Sequence, residues 1–295
     1  MKKKQKWTVF SVLGLLILLL FAAICIAPFI YMTIMSFTQS TTLMLHWSDI
    51  NFGDFTNFNY VLKKTGFIRA LTNSVIVVFC SCLFNCIIAS MAAYGFAKKK
   101  FPGSKAIFRI YLLTLMIPGQ VTMIPVFIMM NKAGLTNTYF ALIVVILNAF
   151  GVFLIRQFFM GIPTELLEAA RIDGANEYTI LFRIIYPLSI PMLATIAMFV
   201  AVGLWNSWFA AQLYMRDENW YPLQLIIRNY IVRNAKPADM QLMEGLRDAA
   251  GNRLYLNETG IKMACAVVST IPMLLIYPFI QKYFESGVTI GAVKG

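Results

Sequence analysis

Six long apolar stretches decide what this chain can fold into. An α-helix of about 20 residues crosses a hydrocarbon core roughly 30 Å thick. Backbone groups in lipid must be satisfied by a helix or a closed barrel, and the stretches lack the alternation of a barrel strand. The sequence therefore predicts an all-α polytopic membrane protein with six transmembrane helices. The predicted spans are about 9–31, 73–97, 106–130, 138–159, 188–215 and 261–284.

The composition agrees with this fold class. Of 295 residues, 59% are hydrophobic and 13% are charged, whereas soluble domains carry about 25% charged residues. The formal net charge of +12 reflects Lys and Arg beside the spans, and no basic-aromatic pattern indicates nucleic acid. All five cysteines fall in predicted spans, so no disulfide framework is indicated. Cys82 and Cys86 share a helix face, but with no His or carboxylate nearby in sequence, core packing is favoured over a metal pair.

The positions of Lys and Arg predict the orientation. The first apolar run follows four lysines and exceeds the roughly 7–15 residues of a signal peptide, so we interpret it as a retained span. Four Lys or Arg lie at the N-terminus, five at 98–109, three on the side of loop 163–187 (Arg156, Arg171 and Arg183) and two in the tail, against four in the short segments of the opposite side. Positive residues favour the cytoplasmic side, and long loops such as 216–260 count little. We expect a multi-pass cell-membrane protein with both termini and loop 163–187 cytoplasmic and loop 216–260 outside.

Residues 163–187 form a polar segment between two spans. Glu165 and Glu168 follow Pro163-Thr164, where Pro suits a helix start and Thr164 can cap it. Gly174 is expected to end this helix, and a second short helix is expected from 176 to about 185, before Pro187. Such a segment must lie in water at the membrane surface. It either docks a partner or merely connects two spans.

The motif EAARIDG (168–174), followed by Ile184 and Pro187, resembles the EAA loop of ABC importer permeases. Tyr186 departs from the usual Leu at a hydrophobic position. Nearly the whole chain is similar to the carbohydrate-importer permeases, in particular the maltose-type second permease, through NSVIVVFCSCLFNCIIASMAAYGFAKKKFPG, IPGQVTMIPVF, TGIKMACAVVSTIPML and the terminal GAVKG. The resemblance implies one importer transmembrane domain over 1–295, with a cytoplasmic coupling helix that docks on an ABC ATPase dimer. The implied docking residues are Glu168, Ala169, Ala170, Arg171, Asp173 and Gly174.

The resemblance also implies partners. These are a second homologous permease forming a heterodimer, an extracellular sugar-binding protein that meets loop 216–260, and membrane lipid. The sequence lacks a GxxxxGK[ST] motif, so ATP and Mg would be bound by the ATPase, leaving this chain non-enzymatic and without cofactor or metal. The C-terminal tail would reach the ATPase, although a disordered end is the alternative. That tail comprises Gly291, Ala292, Val293, Lys294 and Gly295.

Polar residues inside predicted spans are candidates for the translocation path, because such residues are costly in a membrane. Gln120 lies beside the helix-breaking Pro118-Gly119, where irregular backbone can line a cavity. The other candidates are Asn85, Asn148 and Asn206. Interhelical hydrogen bonding, worth about 0.6 kcal/mol each on average, is the alternative role.

We therefore expect a permease subunit of a binding-protein-dependent, ATP-driven importer for sugars, in particular oligosaccharides, working by alternating access. One alternative is an ion-coupled secondary transporter, but the predicted spans contain no Asp or Glu for ion coupling. A receptor or scaffold would leave the EAA-like motif unexplained. The remaining alternative is an ABC permease for a non-sugar solute.

Overall fold

The computed structural model describes residues 9–38, 46–64, 66–144, 149–231 and 258–292, and these are largely helical. The only β feature in these ranges is the single bridge between Thr38 and Ile50, so the predicted all-α class is confirmed. The helices are α1 Val9–Met35, α2 Thr56–Lys64, α3 Phe67–Lys98, α4 Ser104–Leu113, α5 Gly119–Lys132, α6 Tyr139–Val144, α7 Ala149–Met160, α8 Thr164–Ile172, α9 Glu177–Leu188, α10 Ile190–Trp205, α11 Phe209–Tyr214, α12 Leu223–Ile231 and α13 Glu258–Ala292.

Three of the described helices are long and apolar enough to cross a membrane alone: α1, α3 and the Thr259–Pro278 part of α13. The number rises to six if three bent helix pairs each form one span. The pairs are Ser104–Met116 with Gly119–Lys132, bent by 104°, Ala149–Met160 with Thr164–Ile172, bent by 77°, and Glu177–Leu188 with Ile190–Trp205, bent by 82°. Six spans and their placement in the membrane remain a prediction.

Several predicted boundaries need correction. The 106–130 segment breaks at Pro118 as expected, whereas Pro125, where the same proline rule predicts a second interruption, lies inside α5 and does not interrupt it. The 188–215 segment is two helices, because α10 ends at Trp205 and α11 begins at Phe209. The helices that contain the second and last predicted spans extend beyond them, since α3 runs from Phe67 to Lys98 and α13 continues to Ala292.

The described residues form two compact units, the first made of 1–68 and 227–272. In this unit the buried Asn57 side chain donates to the backbone carbonyls of Ser36 (2.9 Å) and Thr38 (3.4 Å). Gly260 lies directly against Asn57, where a Cβ atom would stand 2.3 Å from Nδ2. Asn57 therefore ties the end of α1 to α2 in a space that only glycine at 260 leaves open.

We expect Gly260→Ala to destabilise this first unit, since the new methyl group would displace the buried Asn57 side chain from its hydrogen bonds to the Ser36 and Thr38 carbonyls. The cost should be about 1–3 kcal/mol, the range for leaving a buried polar group unsatisfied. Thermal unfolding in detergent should show a lowered Tm. Gly14→Ala on α1, where nothing lies within 4 Å of the added atom, is the control and should unfold like wild type.

The second unit, residues 69–226 and 273–295, contains a large apolar core of buried residues. This core joins α3, α7, α9 and α10, and its fully buried members include Ala93, Ile155, Phe159, Ile180 and Ile185. Cys82 and Cys86 lie on the α3 face that meets α10, with their thiols 3.3 and 3.7 Å from the carbonyls of Ala197 and Leu193. This geometry supports the core-packing interpretation of the two cysteines. No group of metal ligands occurs among the described residues.

Polar contacts near the start of α3 hold residues 216–222 in the same unit. Asn73 donates to the carbonyls of Asn219 (2.8 Å) and Tyr221 (3.1 Å) and accepts from the Tyr139 hydroxyl (2.7 Å). The Leu223 N–H donates to Ser74 Oγ at 2.8 Å. The beginning of the predicted outer loop is thus fixed on α3, whereas its remainder, 232–257, lies outside the described residues.

Candidate functional site

Helix α8 carries the predicted docking motif and has two distinct faces. Leu167 is 1% exposed and belongs to the core of the second unit, and Ala170 packs against that core. At helical spacing on the other face, Glu165, Glu168 and Ala169 are exposed, and Ile172 is 86% exposed. We call these four residues the outer stripe of α8. Two carboxylates and one exposed apolar side chain on this stripe are therefore accessible to another molecule.

The start of α8 differs from the expectation. Thr164 is the first helical residue and does not cap the helix; Pro163 occupies the cap position without a side-chain hydrogen bond. The end agrees with the expectation. Gly174 has φ +82°, its N–H bonds to the Arg171 carbonyl, and the Ala175 N–H bonds to the Ala170 carbonyl. This is a Schellman motif, in which glycine adopts a left-handed conformation without a Cβ penalty.

Glu177, the first residue of α9, is held by three side chains. Lys99 and Arg171 form ion pairs with Oε1, the latter at 3.3 Å, and the Tyr94 hydroxyl donates to Oε2. Tyr94 lies near the C-terminal end of α3 and Lys99 directly follows that helix, so this cluster attaches the α8–α9 turn to a long apolar helix. We call Glu177, Tyr94, Lys99 and Arg171 the Glu177 cluster.

The Glu177 cluster favours the ionised carboxylate. Partial burial alone would raise the pKa of Glu177, but hydrogen bonds from Lys99, Tyr94 and Arg171 and the charge of Lys99 lower it from 4.5 to about 2. The folded state therefore gains stability from this group above pH 4.5, and the gain is lost as the pH falls from 4.5 towards 2. Because Glu177 is partly exposed, water screens part of this gain.

Two further hydrogen bonds attach the loop to α3. Lys98 Nζ donates to the Ile162 carbonyl at 2.6 Å, just before α8. The Tyr186 hydroxyl donates to the Cys86 carbonyl at 3.0 Å. Tyr186, which departs from the usual Leu of the EAA pattern, therefore retains an apolar ring and adds a polar anchor.

Helix α9 was predicted to extend to about residue 185 and end at Pro187, and in the structure it ends one residue later, at Leu188. A π turn over Ile180–Ile185 precedes the proline, and the Tyr186 N–H reaches back to the Leu181 carbonyl. Proline removes an i−4 hydrogen bond and crowds that carbonyl, and a widened turn relieves the conflict. The sharp change of direction comes two residues later, at Ser189.

The six predicted docking residues differ in what each of them contacts within this chain. Glu168, Ala169 and Asp173 are exposed, and within the described residues Glu168 has no ion pair. Ala170 packs against the core of this chain, and Arg171 forms an ion pair with Glu177. Gly174 adopts a left-handed backbone conformation, which by itself favours glycine at this position. Ile172 was not predicted from the sequence, although its position four residues after Glu168 could have indicated it.

The four candidates for the translocation path also differ in their surroundings. Gln120 lines a cavity of about 560 Å³ together with Met123, Phe209 and Tyr214. Asn206 is exposed where α10 ends and bonds to its own helix, at the Val202 carbonyl. Asn85 is buried and bonds within α3 to the Ser81 carbonyl, a structural arrangement, and Asn148 lies outside the described residues.

Of the tail, Gly291 and Ala292 end α13, and 293–295 are not described.

Comparison with known proteins decides the family. Residues 85–290 match the family described as binding-protein-dependent transport system inner membrane component. The chain belongs to this family. It is therefore a transport permease embedded in the membrane by apolar helices, and the family match includes the whole α8–α9 loop.

Several known proteins are similar to this permease along nearly its full length. It is 34% identical over 94% of its length to the polygalacturonan/rhamnogalacturonan transport system permease protein YtcP of Bacillus subtilis, 96% of which is covered. It is 32% identical to the arabinooligosaccharides transport system permease protein AraQ of Halalkalibacterium halodurans, with 93% of each chain covered. Among solved structures, a chain of a bacterial ABC transporter involved in import of the acidic polysaccharide alginate superposes with a TM-score of 0.81 at 28% identity, covering 95% of this chain and 100% of that one.

Proposed function

We propose that this permease serves an ATP-driven importer whose cargo is oligosaccharide, in particular fragments of uronate-containing polysaccharides. The observation that carries the cargo assignment is the 34% identity to the polygalacturonan/rhamnogalacturonan permease over almost the whole chain. The structural similarity to a chain of an alginate importer supports the same class.

ATP hydrolysis belongs, in this proposal, to a separate cytoplasmic ABC ATPase dimer that binds ATP and Mg. The sequence has no phosphate-binding loop motif of its own. The outer stripe of α8 supports a docking role for this helix, since it exposes Glu168 and Ile172 on an element fixed by the core on its other side. A carboxylate for ion pairing beside an apolar contact suits a protein interface with a charged rim.

A second, homologous permease would complete a heterodimeric pathway, and an extracellular sugar-binding protein would deliver cargo at loop 216–260. Both termini and the α8–α9 loop are cytoplasmic in this proposal, in line with the distribution of Lys and Arg. Within this chain, Gln120 and its cavity would form one part of the path that a sugar hydroxyl could contact by hydrogen bonds.

Alternating access follows from how α8 is attached. Closure of the ATPase dimer would displace α8, and the Glu177 cluster and the buried Leu167 would pass that displacement to α3 and α10. A rigid attachment is required, because an interface with two discrete packings transmits a shift whereas a loose loop absorbs it.

The cargo is tested by uptake. A strain lacking this gene should lose uptake of labelled oligogalacturonides, and the wild-type gene should restore it. Unchanged uptake of all oligosaccharides tested would refute the sugar assignment. Collapse of uptake by a protonophore at constant cellular ATP would favour an ion-coupled transporter instead.

Removing residues 291–295 tests the proposed contact between the tail and the ATPase. We expect the assembled complex to form normally, with ATP turnover lowered by at least about fivefold, the lower range of allosteric coupling. Replacing the same five residues with Gly and Ser separates a sequence effect from a length effect. Wild-type turnover, with a wild-type response to the binding protein, would contradict a regulatory tail.

A further inference from the structure

A second cavity lies in the second unit, away from the outer stripe of α8 and the Gln120 cavity. It has a volume of about 930 Å³ and opens where α3 ends, α4 begins and α7 passes. Its walls include Phe96, Phe101 and Phe108. Neither cargo transport nor ATPase docking, as proposed above, uses it.

The cavity is strongly cationic. Among the described residues that line it there is no Asp or Glu, and five of them are Lys99, Lys100, Lys105, Arg109 and Arg156. Lys99 is already committed to the Glu177 carboxylate. Such a concentration of positive charge without carboxylates indicates an anionic occupant.

Arg156 gives the cavity a fixed inner wall. Its Nε donates to the Phe96 carbonyl at 3.2 Å, and its guanidinium lies 4.2 Å from the centre of the Phe108 ring. Lys100, Lys105 and Arg109 are exposed at the cavity, and no ion pair in the described residues involves them. The positioned guanidinium of Arg156 and the three exposed cations together can surround a phosphate group, for which Lys and Arg are the usual partners.

Helix α4 continues from the cationic end as an exposed apolar surface. Ile107, Ile110 and Leu113 are 50%, 65% and 58% exposed. A free phosphate or a nucleotide would use the charges and leave this surface uncovered, whereas a phospholipid has acyl chains that match it. Basic pockets between membrane helices are known to suit anionic lipid headgroups.

We propose that this cavity binds the phosphate headgroup of an anionic membrane phospholipid, with the acyl chains along Ile107, Ile110 and Leu113. Because Lys99 lines the cavity and also holds Glu177, the lipid would lie next to the attachment of the α8–α9 loop. The site is independent of which cargo the permease carries.

The test uses the full-length chain, purified with its accompanying subunits and reconstituted into phosphatidylcholine vesicles. The vesicles contain a trace of phosphatidylglycerol with a photoreactive acyl chain, and cross-links are mapped by mass spectrometry. The cavity variant is K100Q/K105Q/R109Q. The matched control, K63Q/R69Q/K132Q, removes three exposed cations from other parts of the chain.

We expect phosphatidylglycerol to label residues 104–113, and the cavity variant to lower that labelling on the order of tenfold while the control variant keeps it. If the triple variant does not assemble, Arg109→Gln alone carries the test, with an expected loss of about threefold. Equal labelling by photoreactive phosphatidylcholine, or undiminished labelling of an assembled cavity variant, would overturn the proposal. Inorganic phosphate competing as well as unlabelled phosphatidylglycerol would assign the cavity to a free anion and overturn the lipid.

Discussion

Glu168→Lys should leave the folded chain intact and weaken its association with an ABC ATPase on the order of thirtyfold or more. The size follows from reversing one charge of an interfacial ion pair, which costs about 2–5 kcal/mol. The fold should be unaffected, because Glu168 is exposed and has no ion pair within the described part of the chain. The measurement is retention of the ATPase by the affinity-purified permease, alongside its Tm and elution volume.

Glu218→Lys is the matched control. It makes the same charge change at another exposed carboxylate, in the segment predicted to lie on the opposite side of the membrane. It should retain the ATPase like wild type. Ile172→Ser tests the apolar end of the outer stripe without a charge change, and should weaken retention with little effect on Tm, since the side chain is 86% exposed. If Glu168→Lys retained the ATPase fully, the docking role of the outer stripe would be refuted.

The features that could be predicted from sequence are those fixed by local chemistry. Apolar runs of membrane length must become helices because lipid leaves no other partner for the backbone. The break at Pro118 and the end of α8 at Gly174 follow from backbone rules for proline and glycine. The docking motif needed the family resemblance as well, since an exposed acidic helix alone is equally typical of a connecting loop.

Features that depend on distant parts of the chain were not predictable. Tyr94 and Lys99 are separated from Glu177 by about 80 residues of sequence, and only the packing of α3 against α9 brings them together. The same packing turns Ala170 inward, although its neighbour Ala169 is exposed. The π turn before Pro187, which accommodates the proline ring within α9, could not be predicted either.

The second large effect is expected when the charge of Glu177 is reversed within the Glu177 cluster. Glu177→Lys places a third cation beside Lys99 and Arg171 and removes the acceptor for the Tyr94 hydroxyl. We expect the α8–α9 turn to detach from α3, with amide-exchange protection over residues 171–181 falling on the order of tenfold. Sugar uptake should fall with it, because displacement of α8 would no longer reach the membrane helices. Lys99→Glu combined with Glu177→Lys restores one ion pair and should recover part of both properties.

The pH dependence of the same turn separates the ionised carboxylate from a purely steric role. With the pKa of Glu177 lowered to about 2, the wild-type turn should keep its protection down to pH 4.5 and lose it progressively below that value. Glu177→Gln keeps the shape of the side chain but cannot titrate. Its protection should therefore be lower than wild type at pH 7 and unchanged between pH 5 and pH 3. A Gln variant with full protection at pH 7 would show that the carboxylate charge does not hold the loop, and that the buried side chains of α8 and α9 alone transmit the movement of the ATPase.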